Sequence, residues 1–359
     1  MSKKVILTIN PGSTSTKIAV FHSNELIFQK NIRHSSEEID RFAKISEQFG
    51  YRKEIIIREL EEAGIDISGI HAIVGRGGLL KPIPSGVYEV NERMKEDLRN
   101  GLRGQQHASN LGGLIADDIA KNIQGAKAYI ADPVVVDELE DVARYSGHPA
   151  FKRTSIFHAL NQKAIGRMHA LTIGRKYEEL NLIIVHLGGG ITVGAHLKGR
   201  VIDVNQGLDG EGPFSPERSG TLPSGDLVRL CFSGKYSEIE VLKMITGQGG
   251  LVAFLGTNNA YEVEQRVMEG DIEATNVQNA MAYQVAKLIG AMAVVLDGEV
   301  DAILVTGGIA YNKIFVDYIK NKTAKIAQIE VYPGEDEMRA LALNGLMVLD
   351  GEVEAKVYE

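Results

Sequence analysis

A hairpin of two apolar runs joined by a turn of small residues occurs twice, and it constrains the fold more than any other feature. The first copy reads VILTIN-PGSTST-KIAVF, from Val5 to Phe21, and the second reads LIIVHL-GGG-ITVGAHL, from Leu182 to Leu197. Alternating apolar runs around such a turn predict two paired strands. Small residues let the backbone approach a ligand, and successive N–H groups in such turns bind anions. Two such loops predict two half-molecules that together hold a nucleotide.

A second pattern follows each hairpin in the same order along the chain. HAIVGRGGL, from His71 to Leu79, and DAILVTGGI, from Asp301 to Ile309, each predict a short strand that ends in Gly-Gly. Helical structure is expected over Ser35–Ala63, in a long buried helix over Ala274–Leu296 and in a final helix over Glu337–Asp350. One β-glycine match could arise by chance, but two matching pairs in one order favour an internal duplication.

Length and composition limit the classes of protein that remain. A chain of 359 residues fits two domains of ordinary size, and no apolar run approaches the ~20 residues of a membrane span. Cys231 is the single cysteine, which excludes an intrachain disulfide and favours the cytoplasm. A formal charge of −8 argues against a general nucleic-acid binder. We therefore expect a cytoplasmic protein that binds neither nucleic acid nor membranes.

The usual nucleotide-binding motifs are absent from the sequence. It contains no G-x-x-x-x-G-K-[ST] loop, no G-x-G-x-x-G between a strand and a helix, and no protein-kinase motif set. It also lacks H-E-x-x-H and paired C-x-x-C motifs, so a structural zinc ion is not expected. If the chain binds ATP, the hairpin loops must bind it.

NPGSTSTK, from Asn10 to Lys17, is a loop of small and hydroxyl-bearing residues between an asparagine and a lysine. It resembles the N-x-G-S-S-S-x-K loop of the acetate and butyrate kinase family, whose members are carboxylate kinases of the actin and hexokinase superfamily. The resemblance covers essentially the whole chain. Other segments resemble further family motifs in the same order, which makes the set far more specific than any one motif. These segments are Gly75-Arg76, HASNL from His107, Ala131-Asp132, Phe157-His158, HLGGG from His186 to Gly190, Arg218-Ser-Gly220, TGGIA from Thr306 to Ala310, and Glu337.

The resemblance implies an α/β fold of two duplicated actin-like (ribonuclease H-like) domains, each a mixed β-sheet flanked by helices, with an interdomain cleft. Residues 1–149 and 338–359 would form domain I, which carries the first phosphate loop and the acid. Residues 150–337 would form domain II, on the nucleotide side. Members of the family form homo-oligomers, so an assembly built on a dimer is expected.

The resemblance also implies the reaction, which is reversible transfer of a phosphoryl group from ATP to a short-chain carboxylate, giving ADP and an acyl phosphate, with Mg²⁺. The short chain and the GEGPFSPERSG and FHALNQ segments favour butanoate as the acid. Acetate, propionate or a branched acid such as isobutyrate is the alternative substrate, and an actin-like ATP-binding regulator is the alternative without enzyme activity. Val74, Pro213 and Phe214 are candidates for the acyl pocket, but no pattern selects them.

The chemistry of the reaction explains why arginines are expected in the site. A carboxylate is already ionised at neutral pH, since its reference pKa is roughly 4 to 5, so it needs no general base. The reaction instead requires alignment and cancellation of repulsion between two anions, for which the planar guanidinium fork is well suited. Arg76 lies between glycines at a strand end, where packing gives little reason for a long charged side chain. Arg218 is the preferred second arginine, because the competing alignment places Pro223 there.

Four further side chains are assigned by the resemblance. His158 would donate a hydrogen bond to the transferred phosphoryl group, although the sequence alone favours a merely buried histidine. Asp132 would orient metal-bound waters or an arginine. Asn10 and Glu337 would hold the metal. Glu335 and Asp336 are the alternatives to Glu337 as the carboxylate ligand.

The remaining candidates are residues expected to bind the nucleotide and the transferring group. The first loop would face the phosphoryl group and the metal, and the second loop would hold the nucleotide phosphates. These candidates are Asn10, Gly12, Ser13, Thr14, Ser15, Lys17, His186, Gly188, Gly189, Gly190, Gly307, Gly308, Ile309 and Asn312.

Overall fold

The computed structural model describes residues 4–101 and 107–359, and the chain divides into two compact units. The first unit comprises Met1–Val136 and Asp336–Glu359, and the second comprises Asp137–Glu335. The predicted domain boundaries, at 149/150 and at 337/338, stay predictions.

The first unit is built on a six-stranded mixed sheet. Its strands are β1 (Val5–Pro11), β2 (Ser15–His22), β3 (Glu25–Arg33), β4 (Ala72–Arg76), β5 (Val87–Glu89) and β6 (Lys127–Ala131). They lie in the order β3-β2-β1-β4-β6-β5. The first three strands form an antiparallel meander, β4 runs parallel to β1, and β6 runs parallel to β4. The predicted first hairpin and the strand that ends at Gly75-Arg76 are therefore confirmed.

Helices cover this sheet, and one predicted helical region is wrong in part. The helices of this part of the chain are α1 (Ser36–Ile39), α2 (Phe49–Glu62), α3 (Glu92–Asn100) and α4 (Asn110–Ala120). The predicted helical stretch 35–63 is broken between α1 and α2, where a 3₁₀ turn spans Ile45–Gln48. Of α1 and α2, only α2 carries apolar side chains at helical spacing, and its Ile55, Ile56 and Leu60 are buried in the core.

The second unit repeats the same strand connectivity. Its strands are β7 (Asn181–Leu187), β8 (Ile191–Leu197), β9 (Arg200–Val204), β10 (Ala302–Gly307) and β11 (Ile329–Pro333). They form a five-stranded sheet in the order β11-β10-β7-β8-β9. An antiparallel meander is again followed by two strands parallel to its first strand. The predicted fold class, two duplicated units with mixed sheets, is confirmed.

Two predicted helices of the later chain are also confirmed. The helices here are α5 (Ala159–Thr172), α6 (Ser224–Cys231), α7 (Glu238–Ile245), α8 (Gly250–Leu255), α9 (Ala260–Met268), α10 (Ile272–Val295) and α11 (Lys313–Thr323), and α12 (Glu337–Leu349) belongs to the first unit. The long helix is buried along one face only, because Tyr283 and Val294 on its other side are exposed. No helix within the described ranges is long and apolar enough to cross a membrane.

Two glycines bring β4 into direct backbone contact with α4. A Cβ atom on Gly75 would overlap the backbone of Gly112, and a Cβ atom on Gly112 would overlap the carbonyl oxygen of Arg76. The helix can therefore pack directly on the strand end that carries Arg76, and any larger residue would push the two elements apart.

Replacement of Gly75 by alanine should destabilise the first unit by about 2 kcal/mol, because overpacking forces the strand and the helix apart. Gly50, in the first turn of α2, is a matched control, since a Cβ atom there meets nothing within 4 Å. Gly50→Ala should be neutral, or stabilising by up to about 1 kcal/mol. Urea unfolding followed by circular dichroism measures both changes, and equal effects would contradict the proposed close contact.

Candidate active site

Three predicted site residues lie at one edge of the first sheet. Asn10 is near the carboxyl end of β1, Arg76 ends β4, and Asp132 follows β6. The register pairs Ile9 with Gly75 and Arg76 with Ala131, so the three positions are neighbours across parallel strands. The carboxyl edge of parallel strands is where α/β proteins bind their ligands. The topology therefore brings together residues that are far apart in the sequence.

Asn10, Arg76 and Glu337 form one connected cluster. Arg76 Nη1 donates to Asn10 Oδ1 at 3.3 Å and lies 3.3 Å from Glu337 Oε1. Asn10 Nδ2 donates to Glu337 Oε2 at 2.5 Å. Asn10 is buried, whereas the side chains of Arg76 and Glu337 are 25% and 14% exposed. The cluster thus presents a partly accessible guanidinium whose orientation is fixed from two sides.

The acidic run before α12 separates into three different environments. Glu335 Oε1 lies 3.3 Å from His186 Nε2. Asp336 caps the helix by accepting from the Arg339 backbone N–H at 3.0 Å, and it also accepts from Arg339 Nε at 3.1 Å. Glu337 is the carboxylate that contacts Asn10 and Arg76. This geometry favours Glu337 among the three candidates for the metal.

Asp132 is buried at the same edge in a strained backbone conformation. Its φ of 37° lies in the left-handed region, which is uncommon for a residue other than glycine. Its Oδ1 accepts from Ser85 Oγ at 2.6 Å and from the Gly86 N–H at 2.9 Å. These contacts fix the carboxylate against the loop before β5, and its predicted orienting role stays a prediction.

The first loop, Gly12–Thr14, joins β1 to β2 and is tightly closed. Gly12 N–H donates to the Ser15 carbonyl at 2.7 Å, while Ser13 and Thr14 are exposed. Lys17 is exposed on β2 and pairs in register with Asn10, so both side chains project on the same face. The predicted loop residues therefore lie next to the Asn10 cluster.

A buried arginine, Arg52, lies beneath this loop and was not predicted from the sequence. Arg52, on α2, donates to the carbonyl oxygens of Gly12 at 2.9 Å, Ser13 at 3.1 Å and Ser15 at 3.1 Å. Burial lowers the pKa of its guanidinium from the usual value. One signal was available, because Arg52 falls on the same helical stripe as the buried Ile55 and Ile56.

The glycines of the second loop make room for two functional candidates. A Cβ atom on Gly190 would overlap the guanidinium of Arg218, and one on Gly188 would lie 2.9 Å from His186 Nε2. The loop is held by Gly188 N–H donating to the Gly190 carbonyl at 3.1 Å, and Ser215 Oγ donates to the Gly189 carbonyl at 2.7 Å. A side chain at position 190 would therefore displace the Arg218 guanidinium.

Arg218 is fixed by a short turn and by the carbonyl oxygen of Gly207. Its Nη1 donates to that oxygen, and the Ser215 N–H donates to the Arg218 carbonyl at 3.0 Å. Burial lowers the pKa of the Arg218 guanidinium, which Glu217 partly offsets. An arginine remains charged at neutral pH despite such a shift. Arg218 therefore places a positive charge beside the second loop.

The two predicted histidines stack on one another in the second unit. The rings of His158 and His186 lie 3.8 Å apart, with 13° between their planes. His186 Nδ1 is 2.8 Å from Asn161 Oδ1, and His158 Nδ1 is 2.9 Å from Thr192 Oγ1. Each ring is thereby oriented by a polar neighbour, so His158 and His186 belong to one cluster.

Residues behind these histidines were also missed. Gln162 is fully buried and donates through Nε2 to Thr192 Oγ1 at 2.9 Å and to the Thr192 carbonyl at 3.2 Å. It therefore fixes the hydroxyl that contacts His158. No sequence pattern singles out Thr192 or Gln162, because the contact joins residues from α5 and β8 that only the fold brings together.

At the end of β10, the backbone of Gly308 is accessible to a ligand in a way that the side chains of Ile309 and Asn312 are not. Gly307 has a φ of 93°, and its backbone exchanges two hydrogen bonds with Gly334, at 3.1 and 2.9 Å. Asn312 is buried, accepts from the Phe315 N–H at 2.9 Å to cap α11, and donates to Gln278 Oε1 at 3.0 Å. Ile309 is buried in the core, whereas Gly308 is exposed. For a bound nucleotide, this geometry favours contact with the backbone of Gly308 over contact with the side chain of Asn312 or Ile309.

The donor set at the first edge fits a metal shared with a phosphate. Within residues 4–101 and 107–359, no group of three or more His, Cys, Asp or Glu side chains could hold an ion. Asn10 and Glu337 offer an amide oxygen and a carboxylate, which are hard donors. Mg²⁺ commonly takes one or two protein oxygens and completes its shell with waters and substrate phosphates.

Comparisons with known proteins identify the family of the chain and its structural relatives. The model of the acetokinase family matches residues 148–344. Butyrate kinase 2 from Clostridium acetobutylicum is 59% identical over 354 residues, which cover 99% of each chain. The crystal structure of Porphyromonas gingivalis acetate kinase has a TM-score of 0.77 at 18% identity and covers 96% of this chain and 100% of that one. A propionate kinase from Francisella tularensis subsp. tularensis SCHU S4 has a TM-score of 0.75 at 19% identity, covering 95% and 98%. These two structures show a shared fold.

Proposed function

The chain belongs to the acetokinase family, and on that premise we propose that it reversibly transfers the γ-phosphoryl group of ATP to a short-chain carboxylate, with butanoate as the preferred acid. One observation carries the choice of acid, which is the 59% identity to a relative named Butyrate kinase 2 over 99% of both chains. The single cysteine, Cys231, is consistent with the cytoplasm as the compartment of this reaction.

The proposed chemical step is one direct in-line transfer. A carboxylate oxygen forms a bond to the γ-phosphorus while the bond from that phosphorus to the bridging oxygen breaks, and the electron pair leaves with ADP. The acid is ionised at neutral pH, so the step needs no base. What the protein must supply is alignment and positive charge for the equatorial oxygens.

Arg76 is the proposed source of that charge in the first unit. Asn10 and Glu337 hold its guanidinium in place, so little reorientation is needed when an anion binds. Arg218 is proposed for the same task from the second unit, where the carbonyl of Gly207 and the space left by Gly190 fix it. An arginine suits both positions because its planar fork can bond two oxygens at once.

Mg²⁺, when bound, would neutralise phosphate charge and polarise the phosphoryl oxygens. Asn10 and Glu337 are proposed to hold it through their side-chain oxygens. Asp132 lies at the same sheet edge and is proposed to orient metal-bound water or an arginine. Lys17 would add a mobile positive charge near the first loop, whose Ser13, Thr14 and Ser15 would contact phosphoryl oxygens.

The second unit is proposed to hold the nucleotide. Its loop from Gly188 to Gly190 would bind phosphates through backbone N–H groups other than that of Gly188, which donates to the Gly190 carbonyl, and Gly308 would lie beside the adenosine. His158 would donate a hydrogen bond to the transferred phosphoryl group, with Thr192 fixing the ring. His186 would support the same loop through its contacts with Asn161 and Glu335.

A graded series of acids tests the proposed function most simply. With Mg-ATP and hydroxylamine, butanoate should give the highest kcat/KM for hydroxamate formation, above acetate, propionate, isobutyrate and pentanoate. A chelator should abolish the product, because the phosphates then lose their metal. Clear preference for acetate would contradict the choice of acid. ATP binding with no hydroxamate from any acid would instead favour an actin-like regulator.

A homo-oligomer built on a dimer is also part of the proposal. Helix α6 has no buried residue, although it carries several apolar side chains. Val228 on that helix is 54% exposed, and Phe232 directly after it is 87% exposed. Exposed apolar side chains of this kind are stabilised when a second copy covers them, and two-fold dimers are the commonest arrangement.

Light scattering should give an even multiple of the 39.1 kDa chain mass. Phe232→Asp should reduce that mass to one chain, because a charge would be buried at the dimer contact. Val142→Asp is a matched control, since Val142 is exposed in a different segment of the same unit. A monomeric wild-type protein would contradict the proposed assembly.

A further inference from the structure

Arg52 is a fully buried positive charge without a buried counter-ion. Its side chain is 1% exposed, yet no carboxylate within the described ranges lies at ion-pair distance from it. Its donors go to backbone carbonyls, to Thr16 Oγ1 at 2.9 Å and to Gln48 Oε1 at 3.0 and 2.9 Å. Buried guanidinium groups are normally paired with carboxylates, because an unpaired buried charge is costly. An anion bound at the surface of the protein would therefore supply the negative charge that Arg52 lacks in the interior.

The same contacts determine where the first loop points its N–H groups. The carbonyls of Gly12 and Ser13 turn inward, toward Arg52. In a planar trans peptide the C=O and N–H bonds point in opposite directions. The N–H groups of Ser13 and Thr14 must therefore point away from Arg52, on the side where both residues are exposed. Successive outward N–H groups of this kind make an anion-binding concavity.

The neighbouring histidine adds no second charge to this buried group. Thr16 Oγ1 accepts from Arg52 Nη1 and lies 2.8 Å from His34 Nε2. Burial lowers the pKa of His34, and the charge of Arg52 lowers it further. Tyr51 lies at the other ring nitrogen, and Glu38 faces the same ring from the exposed side. The positive charge directly beneath the loop is therefore that of Arg52.

We propose that Arg52 is a positioning residue for a phosphate-type anion bound on the outer side of the Gly12–Thr14 loop. Its fork turns the loop carbonyls inward, so that the N–H groups face the anion, and its uncompensated charge attracts that anion from behind. The identification of the anion with the transferring phosphoryl group rests on the proposed function. The inference that the loop binds phosphate oxygens rests instead on the orientation of its N–H groups and on the buried charge of Arg52.

Gln48→Glu separates the charge of Arg52 from its structural contacts. Gln48 already accepts two hydrogen bonds from the guanidinium, so glutamate can keep both while supplying a buried counter-ion. The folded protein should be at least as stable as wild type in urea. If Arg52 merely braces the loop, kcat should remain unchanged. The proposal instead predicts that kcat falls at least about fivefold, because the anion loses the field of the arginine.

Variants of Arg52 itself test the loop orientation. Arg52→Gln should lower kcat by at least about tenfold while KM for butanoate stays within about twofold, because the loop acts on the phosphoryl group. Arg52→Lys should fall between this variant and wild type, since lysine keeps the charge but lacks the fork. Arg58→Gln, an exposed arginine on the same helix, is the matched control and should behave as wild type. A folded Arg52→Gln enzyme with normal kcat would overturn the proposal.

A binding measurement keeps the inference separate from the proposed function. Inorganic phosphate is titrated into ²H,¹⁵N-labelled protein while the amide signals of Ser13 and Thr14 are followed by NMR. Both signals should shift in wild type, and the dissociation constant should rise at least about fivefold in Gln48→Glu. Silent signals, or an unchanged dissociation constant in folded Gln48→Glu, would overturn the inference even in an active kinase. Shifting signals in a protein that makes no acyl phosphate would contradict the proposed function and leave the phosphate site standing.

Discussion

The parallel register between β1 and β4 is the constraint on which the first unit's site depends. It pairs Ile9 with Gly75, which places the next residues, Asn10 and Arg76, side by side at the carboxyl edge. A slip of one residue would place Asn10 and Arg76 on opposite faces of the sheet and dissolve the cluster with Glu337. The close approach of α4, which Gly75 and Gly112 permit, supports the same strand end.

The duplicated unit applies the same register to different side chains. Thr306 pairs with His186 across the parallel strands β10 and β7, so the second loop and the Gly307 turn also meet at one edge. There, however, the loop consists of glycines, and its neighbours are Arg218 and a stacked histidine pair. The first loop instead carries hydroxyl side chains above the buried Arg52. Equal topology with unequal side chains favours two different tasks, which the proposed function assigns to the phosphoryl group and to the nucleotide.

Much of this architecture could be predicted because its signals are local. The two hairpins and the strands that end in Gly-Gly follow from alternation and turn residues, and the helices from 272 and from 337 follow from apolar periodicity. The break between α1 and α2 could not be predicted as easily, because charged residues at helical spacing occur on both sides of it. Burial of Ile55 and Ile56 in the core distinguishes α2 from the shorter α1.

The candidate site was predictable as a set of residues but not as a set of contacts. Arg52 lies far along the chain from the loop beneath which it is buried, and Gln162 lies far from Thr192 on β8. No local pattern in the sequence shows that either pair is in contact. For Asn312, predicted to bind the nucleotide, the sequence does not show that its side chain caps α11 and hydrogen-bonds to Gln278. The acidic run before α12 is similar, since only the fold shows which carboxylate reaches Asn10.

The proposed function requires Arg76, at the edge of the first sheet, and Arg218, beside the second loop, to supply the positive charge of the transfer step. Steady-state turnover of Arg76→Ala and Arg218→Ala with saturating Mg-ATP and butanoate tests it most directly, with urea unfolding as the check on folding and exposed Arg58→Ala as the control. The account predicts that each variant loses more than about tenfold in kcat while its unfolding midpoint stays near that of wild type. Near-normal turnover in either folded variant would contradict the claim for that arginine.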